Sequence, residues 1–214
     1  MSSLPSSGNR YTLLSKWSGS TLSFICNVYN NAGTMQIEFG YSGNGSSASI
    51  IDSTASNLVA GSWLHLAWTR SGNNLYMFVN GSLISTTGFT TTLYDGASTI
   101  NIGRHGDGLN YWNGYIADIR VVKGTAVYTA AFTPPTAPLT AITNTSLLTN
   151  FTNAGIIDNA EMNDLETVGN AQISTAQSKF GGGSMYFDGS GDALTAPPNI
   201  NLAMGSGDFT IEMW

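Results

Sequence analysis

Charged side chains are scarce in this sequence, which carries them at only 9% of its 214 positions. Soluble domains average roughly 25%, so serine, threonine, asparagine and glycine must cover most of the surface. Seven basic and 13 acidic residues give a formal net charge of −6. The basic residues are scattered singly, and no cluster of them could neutralise the phosphates of a nucleic acid. The composition therefore predicts no nucleic-acid partner.

The sequence holds one cysteine, so neither an internal disulfide nor a zinc site built from cysteines can form. This residue, Cys26, lies in the strand-like run LSFICNVYN, where we expect a small buried core residue. No apolar run approaches the roughly 18–20 residues of a membrane-spanning helix. The first residues, MSSLPSSGN, lack the basic and apolar regions of a signal peptide. We therefore expect neither membrane insertion nor a cleaved secretion signal.

Familiar catalytic motifs are also missing. The sequence has no Gly-x-Ser-x-Gly nucleophile elbow, no phosphate-binding loop and no His-Glu-x-x-His metal motif. Its two histidines are His65 and His105. We expect His65 to be paired within a sheet, because it lies in the strand-like run WLHLAWTR. These absences argue against an enzyme.

The sequence contains a succession of short strand-like segments. Apolar and polar residues alternate in them, as in half-buried β-strands, and hairpin turns such as SGNN and VNGS separate them. Strands at intervals of about 8–12 residues, with little helical periodicity, predict an all-β, two-sheet antiparallel sandwich. The expected strands are 12–17, 21–30, 34–42, 48–53, 63–71, 75–81, 82–88, 98–104, 115–124, 184–189, 192–197 and 209–214.

A change of composition marks a connecting segment. Residues 131–146 contain three of the six prolines and no charged residue, so this stretch should run extended. We expect one short helix or helical turn, around Asn159–Leu165. The chain therefore divides into a main part, 1–133, a Pro/Thr/Asn-rich connection, 134–178, and a final set of strands, 179–214.

Three stretches of the sequence resemble parts of the laminin-G-like, concanavalin A-like jelly-roll domains. Residues 60–86 read AGSWLHLAWTRSGNNLYMFVNGSLIST, which is similar to the family's central hairpin. Residues 100–135 contain INIGRHGDGLNYWNGYIADIRVVKG, which is similar to its closing strands. Residues 179–214 contain KFGGGSMYFDGSGDALTAPP and GSGDFTIEMW, which are similar to its opening strands. The resemblance implies a jelly-roll sandwich.

The order of these stretches differs from that of the family, in which the piece resembling 179–214 comes first. Two arrangements are open: a single jelly roll cut at a loop and circularly permuted, or a window on a tandem array. In either case the last strand, 209–214, needs a place in a sheet. We expect it to close its own sandwich, because the fragments together amount to about one domain. The alternative is donation to a neighbouring copy, which would give a homo-oligomer by strand complementation.

Residues 121–141, VVKGTAVYTAAFTPPTAPLTA, and 145–160, TSLLTNFTNAGIIDNA, resemble linkers in structural and tail-associated proteins of tailed bacteriophages. The likeness implies a virion component, outside the cell, in a tail or fibre. Its partners would be cell-surface glycans or other virion proteins. We expect a non-enzymatic recognition module that binds carbohydrate. A purely structural subunit that assembles by strand exchange is the alternative.

The concanavalin A-like sandwich also hosts β-glucanases. These enzymes place two catalytic carboxylates and a helper aspartate on one strand face, in Glu-x-Asp-x-(x)-Glu spacing. This sequence lacks such a strand. Its nearest acidic cluster is Glu161, Asp164 and Glu166, with a different spacing and outside the expected strands. We expect these carboxylates to face solvent on a turn or helix, so a glycoside hydrolase is the least favoured function.

The loop GRHGDGLNYWNG contains the residues that we expect to bind carbohydrate. Two adjacent aromatic rings could stack on a pyranose, while polar groups bind its hydroxyls. The alternative is an ordinary aromatic loop that covers the edge of the core. The candidate residues are Arg104, His105, Asp107, Asn110, Tyr111 and Trp112.

Calcium is the one cofactor that the resemblance suggests, because laminin-G-like domains often hold one calcium ion. Such a site needs several hard oxygen ligands. The candidates are Asp188 and Asp192 in FDGSGD, and Asp118 in GYIADIR. The alternative for Asp188 is a structural role in holding the turn Gly189–Gly191.

Overall fold

The computed structural model describes residues 1–19, 21–151, 156–160 and 162–214. Strand accounts for 42% of the chain and helix for 1%. None of the described residues belongs to a helix that is long and apolar enough to cross a membrane. The elements in these ranges are β1 (Arg10–Lys16), β2 (Phe24–Asn31), β3 (Thr34–Tyr41), β4 (Ser49–Thr54), β5 (Leu66–Ser71), β6 (Asn74–Val79), β7 (Ser82–Gly88), β8 (Ile100–Ile102), β9 (Asn113–Ile116), β10 (Ile119–Lys123), β11 (Thr145–Thr149), β12 (Glu166–Val168), β13 (Gln172–Ser174), β14 (Ser184–Asp188), β15 (Ala193–Ala196), a 3₁₀ helix (Ile200–Leu202) and β16 (Phe209–Met213).

Two large antiparallel sheets make up most of the fold. The seven-stranded sheet has the order β12-β15-β8-β1-β2-β3-β4, and the six-stranded sheet has the order β11-β10-β16-β5-β6-β7. A smaller sheet has the order β13-β14-β9. This architecture confirms the prediction of an all-β, antiparallel sandwich.

The core lies between the two large sheets and follows from the alternation along each strand. On β2, Phe24, Cys26 and Val28 are buried in one cluster with Trp68 of β5 and Ile211 of β16. Successive side chains of a strand point to opposite faces, so every second residue enters this cluster. Cys26 is a buried free thiol, as expected, and burial raises its pKa.

The last strand, β16, lies inside the six-stranded sheet, between β5 and β10 of the same chain. Ile211 pairs with Trp68 on one side and with Val121 on the other. Both backbone edges of β16 are therefore hydrogen-bonded within the chain. The C-terminal segment contributes a central strand to the sheet that also contains β5, β6 and β7.

The segment 115–124, expected as one strand, is split into β9 and β10. Asp118 adopts a left-handed backbone conformation, with φ of +49°. The amide and carbonyl of Ala117 bond to the carbonyl and amide of Trp214, at 2.8 and 2.9 Å. Because of this break, β9 pairs with β14 in the small sheet, whereas β10 joins the six-stranded sheet.

The connection 134–178 contains more regular structure than the sequence indicated. It includes β11, β12 and β13, none of which was expected. Around Asn159–Leu165 the described residues form a turn at 159–160 and no helix, and Glu161 lies outside the described ranges. The Asp158 carboxylate accepts hydrogen bonds from the amides of Leu148 and Ala160, at 2.8 and 2.9 Å. The bond to Leu148 ties this loop to β11, because Leu148 belongs to that strand.

Candidate functional site

The loop between β8 and β9 is short and closely held. An isolated bridge pairs His105 with Leu109, and the amide of His105 donates to the carbonyl of Leu109 at 2.9 Å. Gly106 lies so close to the carbonyl oxygen of Trp17 that an added Cβ would meet it at 1.8 Å. Asn110 has a φ of +51°, and its carbonyl accepts a hydrogen bond from the amide of Thr12 at 2.9 Å. These contacts position the loop beside β1.

Arg104 is the charged residue of a polar depression next to this loop. Its Nε donates to Oδ1 of Asn101 at 3.0 Å. The two terminal nitrogens of the guanidinium have no partner among the described residues. The depression has a volume of about 250 Å³. Its lining residues are Ser18, Thr21, Ala97, Ser98, Thr99, Asn101, Arg104 and Gly106.

Asp107 ties the tip of the loop to the turn that follows β1. Its Oδ1 accepts hydrogen bonds from Oγ of Ser18 and from the amide of Gly19, at 2.8 and 3.0 Å. Nδ1 of His105 accepts a hydrogen bond from the amide of Asp107 at 3.1 Å. Burial lowers the pKa of His105, although the charge of Asp107 opposes the effect. His105 is therefore a neutral acceptor at neutral pH, and both side chains serve first to shape the loop.

The expected stack of two aromatic rings on a sugar is wrong for Trp112. This side chain is only 4% exposed and belongs to the main core cluster. Its ring meets Tyr11 edge to face, with centroids 6.1 Å apart. Tyr111 remains partly exposed, because adjacent residues of an extended chain point to opposite sides. The structure therefore separates Trp112 from the polar part of the loop, although both belong to one short stretch.

The structure does not bring together the three aspartates predicted as calcium ligands. No group of three or more potential metal ligands occurs among the described residues. Asp188 pairs with Asn113 at one end of β9, whereas Asp118 lies two residues beyond the other end, Ile116. At about 3.3 Å per residue, more than about 10 Å of strand separates them. Sequence reasoning could not see this, because the register of β9 against β14 sets the distance.

The carboxylates of FDGSGD hold turns instead. Oδ1 of Asp188 accepts from the amide of Ser190 at 2.7 Å, which supports the structural alternative for this residue. Asp192 is fully buried, and its two oxygens accept from the amides of Asn170 and Asp188, at 2.8 and 3.0 Å. Asp192 thus joins the β12–β13 turn to the end of β14.

A polar cluster around Glu212 of β16 was not foreseen from the sequence; its other members are His65 just before β5, Arg120 of β10 and Tyr128 after β10. Nε2 of His65 lies 3.1 Å from Oε2 of Glu212, and the hydroxyl of Tyr128 donates to the same oxygen at 2.7 Å. Nε of Arg120 donates to Oε1 of Glu212 at 2.6 Å. Burial alone would raise the pKa of Glu212, but the bonds from His65, Arg120 and Tyr128 outweigh it and lower that pKa. The expectation that His65 would be paired within the sheet holds, with Glu212 of the neighbouring strand as its partner.

Asp118 lies at the margin of this cluster. It is fully buried, and its Oδ1 accepts from the amide of Leu139 at 3.1 Å. Oδ2 has no hydrogen-bond partner in the described part of the chain. Burial raises the pKa of Asp118 to about 7; the Leu139 amide opposes this shift and the charge of Glu212 adds to it. The residue is therefore poised between its protonated and ionised forms near neutral pH.

Two carboxylates lie on adjacent strands of the seven-stranded sheet, as the catalytic pair of a glycosidase could. Glu38 of β3 lies directly opposite Asp52 of β4. Both oxygens of Glu38 accept from Arg10, at 2.6 and 2.8 Å, and Asn27 donates to one of them at 3.3 Å. Glu38 is 1% exposed. Both oxygens of Glu38 are therefore already occupied by hydrogen bonds within the protein.

Comparison with known proteins supports the fold on independent grounds. The family model described as the concanavalin A-like lectin/glucanases superfamily matches residues 2–131, which is more than half of the chain. No match was found among the curated proteins. The solved structures likewise gave none. Together with the antiparallel sandwich, the match shows that the chain belongs to the concanavalin A-like lectin/glucanase superfamily.

Proposed function

We propose that this protein is a non-enzymatic recognition module that binds carbohydrate in the depression around Arg104. The observation that carries the proposal is the guanidinium of Arg104, whose terminal nitrogens have no partner in the described structure. Membership of a superfamily of lectins and glucanases supports carbohydrate as the ligand class. Of the six residues expected in the site, Arg104 contributes directly, while His105, Asp107 and Asn110 shape the loop.

The chemistry of the depression suits a glycan. Hydroxyl and amide side chains line it, including Ser18, Thr99 and Asn101. Such groups donate and accept hydrogen bonds, as sugar hydroxyls require. The planar guanidinium of Arg104 can donate two parallel hydrogen bonds to neighbouring hydroxyls or to a carboxylate. Tyr111 is partly exposed on the same loop, outside the lining of the depression.

The proposal of a non-enzymatic function rests on the state of the carboxylates. A glycosidase needs one carboxylic acid that can give a proton and a second carboxylate that can act as a base or nucleophile. Glu38 is held by Arg10 and Asn27, and Glu212 by three partners, two of which are buried. Neither can exchange a proton with a substrate without breaking these bonds.

We place the module on a virion, in a tail or fibre that meets the cell surface. This placement rests on the likeness of residues 121–141 to linkers of tailed-phage proteins. The alternative is a purely structural subunit that assembles by strand exchange. The position of β16 inside its own sheet favours recognition over exchange, because both of its edges are already paired.

A glycan array followed by titration tests the proposal. The wild-type chain should bind a subset of cell-surface glycans, and Arg104→Ala should weaken that binding about tenfold or more, since it removes hydrogen bonds from a charged group. Lys123→Ala is the matched control, because it removes one positive charge elsewhere, where Nζ of Lys123 bonds to the carbonyl of Ile200. Equal loss in both variants, or no binding by the wild type, would contradict the assignment. Release of new reducing ends from a bound glycan would contradict the non-enzymatic function.

A further inference from the structure

A second recess lies on the part of the molecule where the first residues meet β9. It has a volume of about 240 Å³, and the aromatic residues Trp63 and Tyr115 line it. The polar residues Ser2, Ser62 and Gln177 line it as well. Tyr115 also packs against Tyr186 of β14, with ring centroids 5.1 Å apart. We call this recess the aromatic groove; it shares no lining residue with the depression around Arg104.

A small inner void adjoins the aromatic groove. The two share Met1, Ser62, Trp63 and Tyr115 as lining residues. The void measures about 20 Å³, and its wall includes leucine side chains and the indoles of Trp112 and Trp214. A void needs about 10–15 Å³ to accept one oxygen-sized group. The groove therefore continues inward into a space for a single such group.

Two hydrogen-bond donors at this void have no acceptor. Nε1 of Trp112 and Nε1 of Trp214 are both buried, and neither has a partner among the described residues. An indole N–H can only donate. A buried donor without an acceptor costs about 1–3 kcal/mol, so an oxygen in the void that accepted from either indole would relieve such a penalty. The void thus favours a group that accepts hydrogen bonds.

The residues that line the void indicate which chemical group supplies the accepting oxygen. A hydroxyl would bring its own proton, which needs an acceptor. The leucine side chains of the wall offer none, and its two hydroxyl side chains, Ser62 and Tyr115, line the groove as well. A carboxylate would bring a charge, and no charged side chain lines the groove or the void. A neutral carbonyl oxygen, which accepts two hydrogen bonds and donates none, fits best.

We propose that the aromatic groove is a second saccharide site, selective for sugars with an acetamido group. The pyranose ring lies against Trp63 and Tyr115, since sugar faces stack on aromatic rings. The acetamido carbonyl occupies the inner void and accepts from Trp112 and Trp214. Ser62 and Gln177 bond to the remaining ring hydroxyls. This assignment stands apart from the site at Arg104, and either can fail without the other.

Titration of the whole chain with N-acetylglucosamine and with glucose, followed by intrinsic tryptophan fluorescence and calorimetry, tests the inference. The acetamido sugar should bind about tenfold more tightly than glucose, because only its carbonyl satisfies the buried donors. Trp63→Ala should abolish the binding of N-acetylglucosamine. Arg104→Ala should leave it unchanged, which separates this site from the proposed function.

Trp112→Phe tests the role of the indole donors more directly than Trp63→Ala, because it removes one donor and keeps an aromatic ring in the core. It should lower the preference for N-acetylglucosamine over glucose several-fold while the affinity for glucose stays the same. Because Trp112 is a core residue, the fold of the variant is checked by circular dichroism and thermal unfolding, both of which should match the wild type. Equal affinities of the wild type for the two sugars, or no binding of either at millimolar concentration, would overturn the inference. In those cases ordered water, and no ligand, satisfies the two indoles.

Discussion

Glu212 shows how single residues of β16 connect distant parts of the chain. It is fully buried, and its partners come from the residue before β5, from β10 and from the segment after β10. A buried carboxylate is tolerated only when charge and hydrogen bonds compensate for lost hydration. Arg120 is fixed in turn by the carbonyl of Thr140, to which its Nη1 donates at 2.9 Å. The cluster therefore fastens an uncharged, proline-containing segment onto the sheet.

Asp118 differs from Glu212 in having one carboxylate oxygen without a partner in the described structure. Burial disfavours its ionised form, and the pKa rises to about 7. The folded state thus binds a proton more readily than the unfolded chain at this residue. Such a group stabilises the fold fully below its unfolded pKa, and this contribution is lost as the pH rises through about 7.

Because folding raises the pKa of Asp118, the stability of the fold should decrease as the pH rises. Between about pH 5 and pH 8, the contribution of Asp118 to the free energy of unfolding should fall by on the order of 1–3 kcal/mol. Asp118→Asn keeps an oxygen for the amide of Leu139 and cannot ionise, so it should lack this decline. Urea denaturation of both proteins at several pH values measures the difference.

Comparing the two proteins also removes the influence of other groups. The lowered pKa of Glu212 and that of His105 both make stability fall toward acid, in the opposite direction. The effect of His105 is common to the wild type and Asp118→Asn. Glu212 is coupled to Asp118, so the difference between the curves reports the ionisation of Asp118 together with that coupling. Parallel curves would mean that Asp118 is ionised in the folded state across the whole range.

At the level of elements, β16 decides whether the six-stranded sheet is continuous. It pairs with β10 through four residue pairs, from Arg120–Glu212 to Lys123–Phe209, and with β5 through five. Without it, β5 and β10 would each present an unpaired backbone edge. Such edges promote association between chains.

Removal of residues 205–214 should therefore cause aggregation. It takes away β16 and leaves His65 and Arg120 without the carboxylate of Glu212. Light scattering and the urea midpoint of the truncated chain measure the outcome. A chain in which a Gly/Ser tail of equal length replaces 205–214 is the control for length, and it should aggregate as well. A truncated chain that stays monomeric and equally stable would show that β16 is misplaced.

For the whole molecule, the pairing of β16 on both sides implies that the sandwich needs no strand from a second copy. We expect the purified chain to have the mass of one chain by light scattering, at all concentrations tested. A concentration-independent oligomer or a filament would instead indicate that the strand is donated to a neighbour. Assembly would then replace carbohydrate recognition as the leading function.

The sequence by itself determined the all-β class and the approximate place of most strands, because period-two alternation and turn chemistry are local properties. It did not reveal β11, β12 and β13, which are short or buried and which only their partner strands stabilise. The sequence also did not predict the break at Asp118, because the break arises from the pairing of β9 and β10 in different sheets.

Only the tertiary structure decided which polar and aromatic residues meet. Trp112 belongs to the same loop sequence as Arg104, yet it is buried in the core and lines the void with Trp214. The partners of Glu212 are separated from it by 84 to 147 positions. Contacts of this kind depend on strand order and register, and no local pattern encodes those. The candidate sites therefore emerged from the fold, although every residue in them was visible in the sequence.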